Sequence, residues 1–330
     1  MFPHLFNSLS VVIPVLSSTF ASVGRFLKHA GNMSLGMLII DESGQAVPQS
    51  ALGAIYRTRR AVVVGDPLQV EPVVTIPKVL IDILADSTCV ANEYKVIENS
   101  AQTFADNINE FNGMIGERQV GCPLVVHRRC IEPMFSISNL ISYDNRMFNK
   151  TNKKEEYLKL ENPFLIKKSG WINVEGVENG GKDHFVKNQA ERVCQLMEDA
   201  VHIYSDLFET NDKIFIITPF RTVAESMRKF IISYFSAKGY DKEILSQWTK
   251  NCVGTVHTFQ GKDANEVLLV LGCSNKSAGA MNWVVKKANI LNVACTRAKY
   301  RIAFIGNIND WKNRRYFREF IPNLIDIINV

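Results

Sequence analysis

Residues 38–46 read LIIDESGQA. A run of apolar side chains stops abruptly at two adjacent carboxylates, Asp41 and Glu42. Such a run, bounded by polar residues, reads as a buried strand. In an open α/β sheet, ligands bind beyond the carboxyl ends of the strands. The first acid is suited to hold a divalent metal, directly or through water, and the second to polarise an attacking water. A second reading stands beside this one: an acidic helix start, because Asp and Ser favour the N-cap region.

Outward from this stretch the pattern repeats. VVIPVLSS (11–18) and AVVVGD (61–66) read as further buried strands, with FASVGRFLKHA (20–30) and PQSALGAIYR (48–57) as the helices between them. KIFIITPF (213–220), EVLLVLGC (266–273) and YRIAFIGN (300–307) continue the strand series, and helical patterns fall at 186–204, 222–237 and 284–298. Continuous apolar strands alternating with helices specify a parallel sheet covered on both faces. A more polar stretch, roughly 85–122, contains the helix-like SAQTFADNINEF at 100–111 and lies between the two series. The expected fold class is α/β, with parallel-sheet domains over residues 1–126 and 127–330.

A chain of 330 residues is long enough for two domains with separate cores. Its 46% hydrophobic and 22% charged residues exclude disordered and collagen-like classes. No apolar run approaches the roughly 20 residues of a membrane span, so no membrane partner is expected. The opening MFPHLFNSLSVVIPVLSSTF has no Lys or Arg before Arg25, and so lacks the basic start of a secretory signal. Seven cysteines form no C-x-x-C pair, which points to reduced thiols in a cytoplasmic protein rather than disulfides or a zinc site. The formal charge of +5 permits nucleic-acid binding without demonstrating it. WKNRRYFREF (311–320), basic with interleaved aromatics, reads as a solvated amphipathic helix.

Three further stretches bear on the acids. AVVVGDPLQVEPVV (61–74) ends a second strand in Gly-Asp, followed by Pro67 and Gln69. A neutral amide there can touch a terminal phosphate and a polar neighbour, and so report that phosphate; a type I or II turn fixed by Pro67 is the alternative. The others are GTVHTFQGKDANEV (254–267) and LNVACTRAK (291–299). Arg297, near a helix end, either complements the helix dipole or reaches a phosphate as an arginine finger, worth about a thousandfold or more in rate.

Taken in order, DESGQA, GDPLQVEPV, LVVHRRC, IITPF, TVHTFQG and NVACTRA resemble the motor core of superfamily 1 DNA and RNA helicases. Within that group the chain looks most like the branch containing the nonsense-mediated-decay helicase. The resemblance runs from about residue 11 to 307. It implies two RecA-like domains of the P-loop NTPase type, with ATP in the cleft between them. It also implies that Asp41 is the magnesium-linked acid, Glu42 the hydrolytic base and Gln69 the γ-phosphate sensor. Arg129, with Arg128 as the adjacent candidate, matches the motif IV arginine, and Arg297 the motif VI finger. Gln260 and Gly261 match the turn that couples nucleotide to nucleic acid. Asp263 stands where the family usually has a ribose-binding Glu.

For single-stranded DNA or RNA, the resemblance implies contacts from Ser18 and Thr19 in the first domain and from Pro219, Phe220, Thr255 and His257 in the second. Hydroxyls and N–H groups grip phosphates without reading bases, and an aromatic stacks on any base. Alternatives stand for each: Phe220 as a core aromatic, His257 as a structural histidine, Ser18 and Thr19 as helix caps.

A working motor of this kind needs G-x-x-x-x-G-K-[ST] before its acidic strand, so that amides, Lys and a hydroxyl receive the phosphates and magnesium. No Gly-rich loop precedes Asp41. GVENGGKD (176–183) has nearly the right spacing, but Asp183 replaces the hydroxyl, Glu178 would repel phosphate, and the stretch follows the acids; it reads as a polar turn. The first domain is therefore expected to be incomplete at its N-terminal side, with Walker B and motif III but no Walker A. Its unpaired apolar sheet edge would need cover from a missing N-terminal segment or a partner chain. The expected function is the carboxyl-terminal part of an ATP-dependent helicase or translocase. ATP and Mg2+ are cofactors of the intact protein, neither bound tightly by this chain, which alone does not hydrolyse ATP. The alternatives are an ATP-independent single-strand-binding relic and a subunit that completes an ATP site with a partner chain.

Overall fold

The computed structural model describes the chain except residues 1, 92–93, 96, 98, 117, 153–163, 181–182, 260 and 329–330. The chain divides into two units, Met1–Pro123 and Leu124–Val330. In the first, strands β1 (Leu35–Ile40) and β2 (Thr58–Val63) pair in parallel, with Ile40 opposite Val63. The helix Pro48–Tyr56 connects them, and Pro48 occupies its first turn, where a missing N–H costs nothing. The helix Ala101–Ile108 starts with a reciprocal cap: Ser100 Oγ accepts Thr103 N at 3.2 Å and Thr103 Oγ1 accepts Ser100 N at 2.8 Å. Ile40, Ala51 and Ala101 form the buried cluster, with Phe20, Leu38, Ala46 and Val63 packed against it.

That core is small. Among the described residues the β1–β2 sheet has two strands, and Met37 (56% exposed) and Ile39 (67%) of β1 face solvent. Val79, Leu80, Ile83 and Leu84 of the helix Lys78–Ser87 are exposed as well. VVIPVLSS, expected as a strand, is not one. A helix runs over Phe2–Val12, and residues 13–19 carry no regular structure. The helix ends beside Pro14, which disfavours the helical conformation at Ile13. Val11, Val12 and Val15 remain exposed, without the neighbouring strands that a buried strand requires.

The second unit is built on six parallel strands: β3 (Gly170–Asn173), β4 (Ile214–Thr218), β5 (Val253–Thr255), β6 (Ala264–Val270), β7 (Ala298–Gly306) and β8 (Asp326–Ile328). Their spatial order is β8-β3-β7-β6-β4-β5. All five residues of β4 are buried, as expected of a strand covered on both faces. Trp171 stacks on Phe304, with centroids 5.8 Å apart, and donates Nε1–H to Gly306 O at 2.9 Å. Glu266, fully buried in β6, accepts Leu165 N (2.8 Å), Ile166 N (2.6 Å) and the Tyr204 hydroxyl (2.7 Å). The fold class is α/β, with a six-stranded parallel sheet in the second unit.

Two expected helices are interrupted. The 284–298 pattern resolves into Ala278–Val284 and Asn289–Arg297. The 311–320 pattern resolves into Ile308–Trp311 and Phe317–Leu324, with Tyr316 at φ +66° in the break. Trp311, Phe317 and Phe320 are buried there, while Lys312, Arg315 and Arg318 are exposed. Among the described residues, no helix is long and apolar enough to cross a membrane.

Candidate functional site

Immediately after β1 the chain turns sharply, with Glu42 at φ +53°. A left-handed conformation at a non-glycine residue costs of order 1–3 kcal/mol and is found where geometry serves function. Asp41 Oδ1 accepts Glu42 N at 2.9 Å, and Gln45 Nε2 donates to Glu42 Oε2 at 3.1 Å. Both acids are exposed. Beyond β2, Asp66 organises the second turn: Oδ1 accepts Leu68 N and Oδ2 accepts Gln69 Nε2, each at 2.9 Å.

The two turns are locked together. Ser43 N donates to Val64 O at 2.9 Å. Neither Gly44 nor Gly65 has room for a Cβ, which would fall 2.8 Å from Asp66 O and 2.7 Å from Gly44 N respectively. The buried Ser43 Oγ lies 2.8 Å from Val64 O and 2.5 Å from Gln102 Oε1. Gln102 Nε2 in turn donates to Asp106 Oδ1 at 2.8 Å, which also accepts Gly121 N at 3.1 Å. Asp41, Glu42 and Gln69 thus lie on adjoining, mutually braced turns. The bracing residues Ser43, Gln102 and Asp106 were missed by the sequence reading, and only the Ser following the acids carried a signal. Asp41 presents hard oxygens at a strand end, a donor type that suits Mg2+, which takes one or two carboxylates together with phosphates and waters.

In the second unit, Arg297 closes the helix Asn289–Arg297 and is 1% exposed. Its Nη1 donates to Phe259 O (3.2 Å) and Lys262 O (3.0 Å), gripping the turn that contains Gly261, itself at φ +74°. Gln260, in that turn, lies outside the described residues. Asp263 pairs with Lys299 at 2.9 Å. Lys299 O accepts Ile131 N at 3.1 Å, which brings the HRRC loop with its half-buried Arg129 to the start of β7. Arg129, Gly261, Asp263 and Arg297 are therefore gathered around one strand start.

The nucleic-acid candidates fall into two sets. Thr218 and Thr255 are paired across β4 and β5, so Pro219, Phe220, Thr255 and His257 cluster at neighbouring strand ends. Pro219 and Phe220 are buried, Thr255 is half-buried and His257 is exposed. Ser18 and Thr19 are exposed just before the helix Phe20–Phe26. Thr19 occupies the N-cap position, but its Oγ1 reaches Ser22 Oγ (3.3 Å) rather than a helix amide.

A family model described as AAA domain matches residues 110–309, and a second model of the same description matches residues 5–76. The chain belongs to the AAA-domain family. It is a superfamily 1 helicase core. This AAA-domain chain is 24% identical over 299 residues to an uncharacterized ATP-dependent helicase of Methanocaldococcus jannaschii, covering 86% of the chain and 38% of the relative. It is 23% identical to the probable helicase senataxin of Mus musculus, over 96% of the chain and 11% of the relative. It is 22% identical to a regulator of nonsense transcripts 1 homolog of Neurospora crassa, over 86% of the chain and 24% of the relative. It thus spans well under half the length of each of these relatives.

The loop that nearly matches a phosphate cradle has another occupation in this AAA-domain chain. Glu178 is buried, accepts Ser274 Oγ at 3.1 Å and lies 3.1 Å from His184 Nδ1. Gly181 and Lys182 of that loop lie outside the described residues. Glu178, His184 and Cys273 bring their ligand atoms within 4.8 Å of one another, the one grouping of metal-ligand type among the described residues. Burial, and then the Glu178 charge, push the Cys273 thiol up to about 12. The Glu178 carboxylate is hydrogen-bonded to Ser274 and beside His184, so the loop is held by a polar network rather than shaped as a phosphate cradle. All seven cysteines are free.

Proposed function

We propose that this chain is the portion of an ATP-dependent superfamily 1 helicase or translocase that carries the hydrolytic acids and the second motor lobe. It grips single-stranded DNA or RNA, and by itself it does not turn over ATP. The observation that carries this reading is the pair Asp41 and Glu42 at the carboxyl end of a parallel strand, braced against the Gln69 turn. In the intact motor, Asp41 holds the Mg2+ that neutralises phosphate charge, Glu42 orients the attacking water, and Gln69 senses the terminal phosphate. Arg129 and Arg297 supply positive charge, and Asp263 contacts the ribose. Gln260 and Gly261 couple nucleotide to nucleic acid. No phosphate-binding loop precedes Asp41 within these 330 residues, which supports inactivity of the chain alone. The free thiols support a cytoplasmic setting.

The exposed Met37, Ile39 and Val62 favour a second reading, in which another segment or chain covers the first unit and completes the ATP site. Hydrogen exchange with and without a single-stranded oligonucleotide tests the grip. Slowed exchange is expected around 18–20, 220–221 and 255–257, where backbone amides would meet phosphates. Unchanged exchange in all three regions under saturating oligonucleotide would remove nucleic-acid binding from them.

A further inference from the structure

The aromatic side chain that the chain presents to solvent near the β4 strand end is not Phe220. Phe220 is enclosed, its ring 4.9 Å from that of His184 and 5.8 Å from that of Trp283. Trp283, on the short helix Ala278–Val284, is 52% exposed. An indole exposed to this extent is costly to leave in water. Here its ring lies at 37° to Phe220, which in turn packs on His184, so its orientation is backed by a buried aromatic series.

The charge flanking it in sequence is one-sided, while the carboxylate nearby in the fold, Glu178, is buried and held by Ser274 and His184. No Asp or Glu occurs between Glu266 and Asp310, while Lys276, Lys286 and Lys287 fall within ten residues of Trp283. Arg314 donates Nη1–H to Asn282 Oδ1 at 2.6 Å, which places a guanidinium beside the neighbouring residue. An exposed aromatic plane set among cations fits a nucleobase whose phosphates lie against those cations. A duplex hides its base faces, so the occupant is a single strand.

We infer that Trp283 is the stacking platform of the second unit for a base of single-stranded nucleic acid. This rests on the functional reading above and adds a position that no motif marks. Trp283 also provides its own reporter. The other three tryptophans, Trp171 (0%), Trp248 (2%) and Trp311 (0%), are buried, so a change in quenching of tryptophan emission on binding comes from Trp283.

The experiment titrates the chain with oligo-dT and oligo-U, following tryptophan emission and, separately, anisotropy of a labelled oligonucleotide. Wild type is expected to bind with quenching. Trp283→Phe should bind within about threefold of wild type without that quenching, because a phenyl ring still stacks. Trp283→Ala should bind roughly tenfold more weakly. Wild-type binding without quenching, together with an unchanged Kd for Trp283→Ala, overturns the inference and leaves the functional reading standing. Absence of wild-type binding to either oligonucleotide overturns both.

Discussion

ATP hydrolysis by the 330-residue chain is expected to stay at the blank rate, with or without single-stranded oligonucleotide, and Glu42→Gln is expected to leave it there. The reason lies in missing donors. Removing a single well-placed hydrogen-bond donor from a transition-state clamp costs about 3–4 kcal/mol, or two to three orders of magnitude in rate. A phosphate-binding loop supplies several backbone donors, a lysine and a magnesium-binding hydroxyl. Their combined absence should cost more than about four orders of magnitude relative to an intact motor. Asp41 and Glu42 are exposed just after β1, and no G-x-x-x-x-G-K-[ST] loop precedes them in these 330 residues to hold a triphosphate against them. Phosphate release measured by a colorimetric assay decides the matter. Turnover above the blank that Glu42→Gln abolishes would show that the acids work without the loop.

Heating should unfold the two units separately, the first at the lower temperature. The first unit leaves Met37, Ile39, Leu52, Val79 and Ile83 in water. Each such side chain forgoes about 1.5–3 kcal/mol that burial would contribute. Its buried cluster leans on the alanines Ala51 and Ala101, whereas the second unit encloses Trp171, Trp248, Trp311, Phe304, Phe317 and Phe320. In calorimetry the main transition should carry the enthalpy of the second unit alone, roughly 145 kcal/mol near 60 °C at about 0.7 kcal/mol per residue. A single two-state transition of roughly 230 kcal/mol, the value for the whole chain, would mean that the first unit is as well packed as the second.

Much of this architecture was legible before any coordinates. The apolar runs at 214–218 and 266–270 are strands because continuous burial in a parallel sheet leaves no alternation to confuse the reading; those at 38–40 and 61–63 are strands as well, although Ile39 and Val62 are exposed. VVIPVLSS misled for the converse reason. A short β-branched run is equally compatible with helix, and its neighbours decide. Here Val11 and Val12 end an exposed helix, and Pro14 follows. Local signals also could not reveal that Ser43 is held by Gln102 and Asp106, some sixty residues away. Such bracing depends on the three-dimensional meeting of helix and turn, and no spacing rule encodes it. Trp283 was silent for a similar reason: a tryptophan in sequence gives no indication of whether its ring is core or surface.

The proposed function requires that this chain grip single strands without nucleotide. Fluorescence anisotropy of a labelled single-stranded oligonucleotide, titrated with the chain at several salt concentrations and no ATP, measures it directly. The prediction is binding whose log affinity falls linearly with log salt, by roughly 0.7 for each phosphate contacted. No binding at low salt, or binding indifferent to salt, contradicts it.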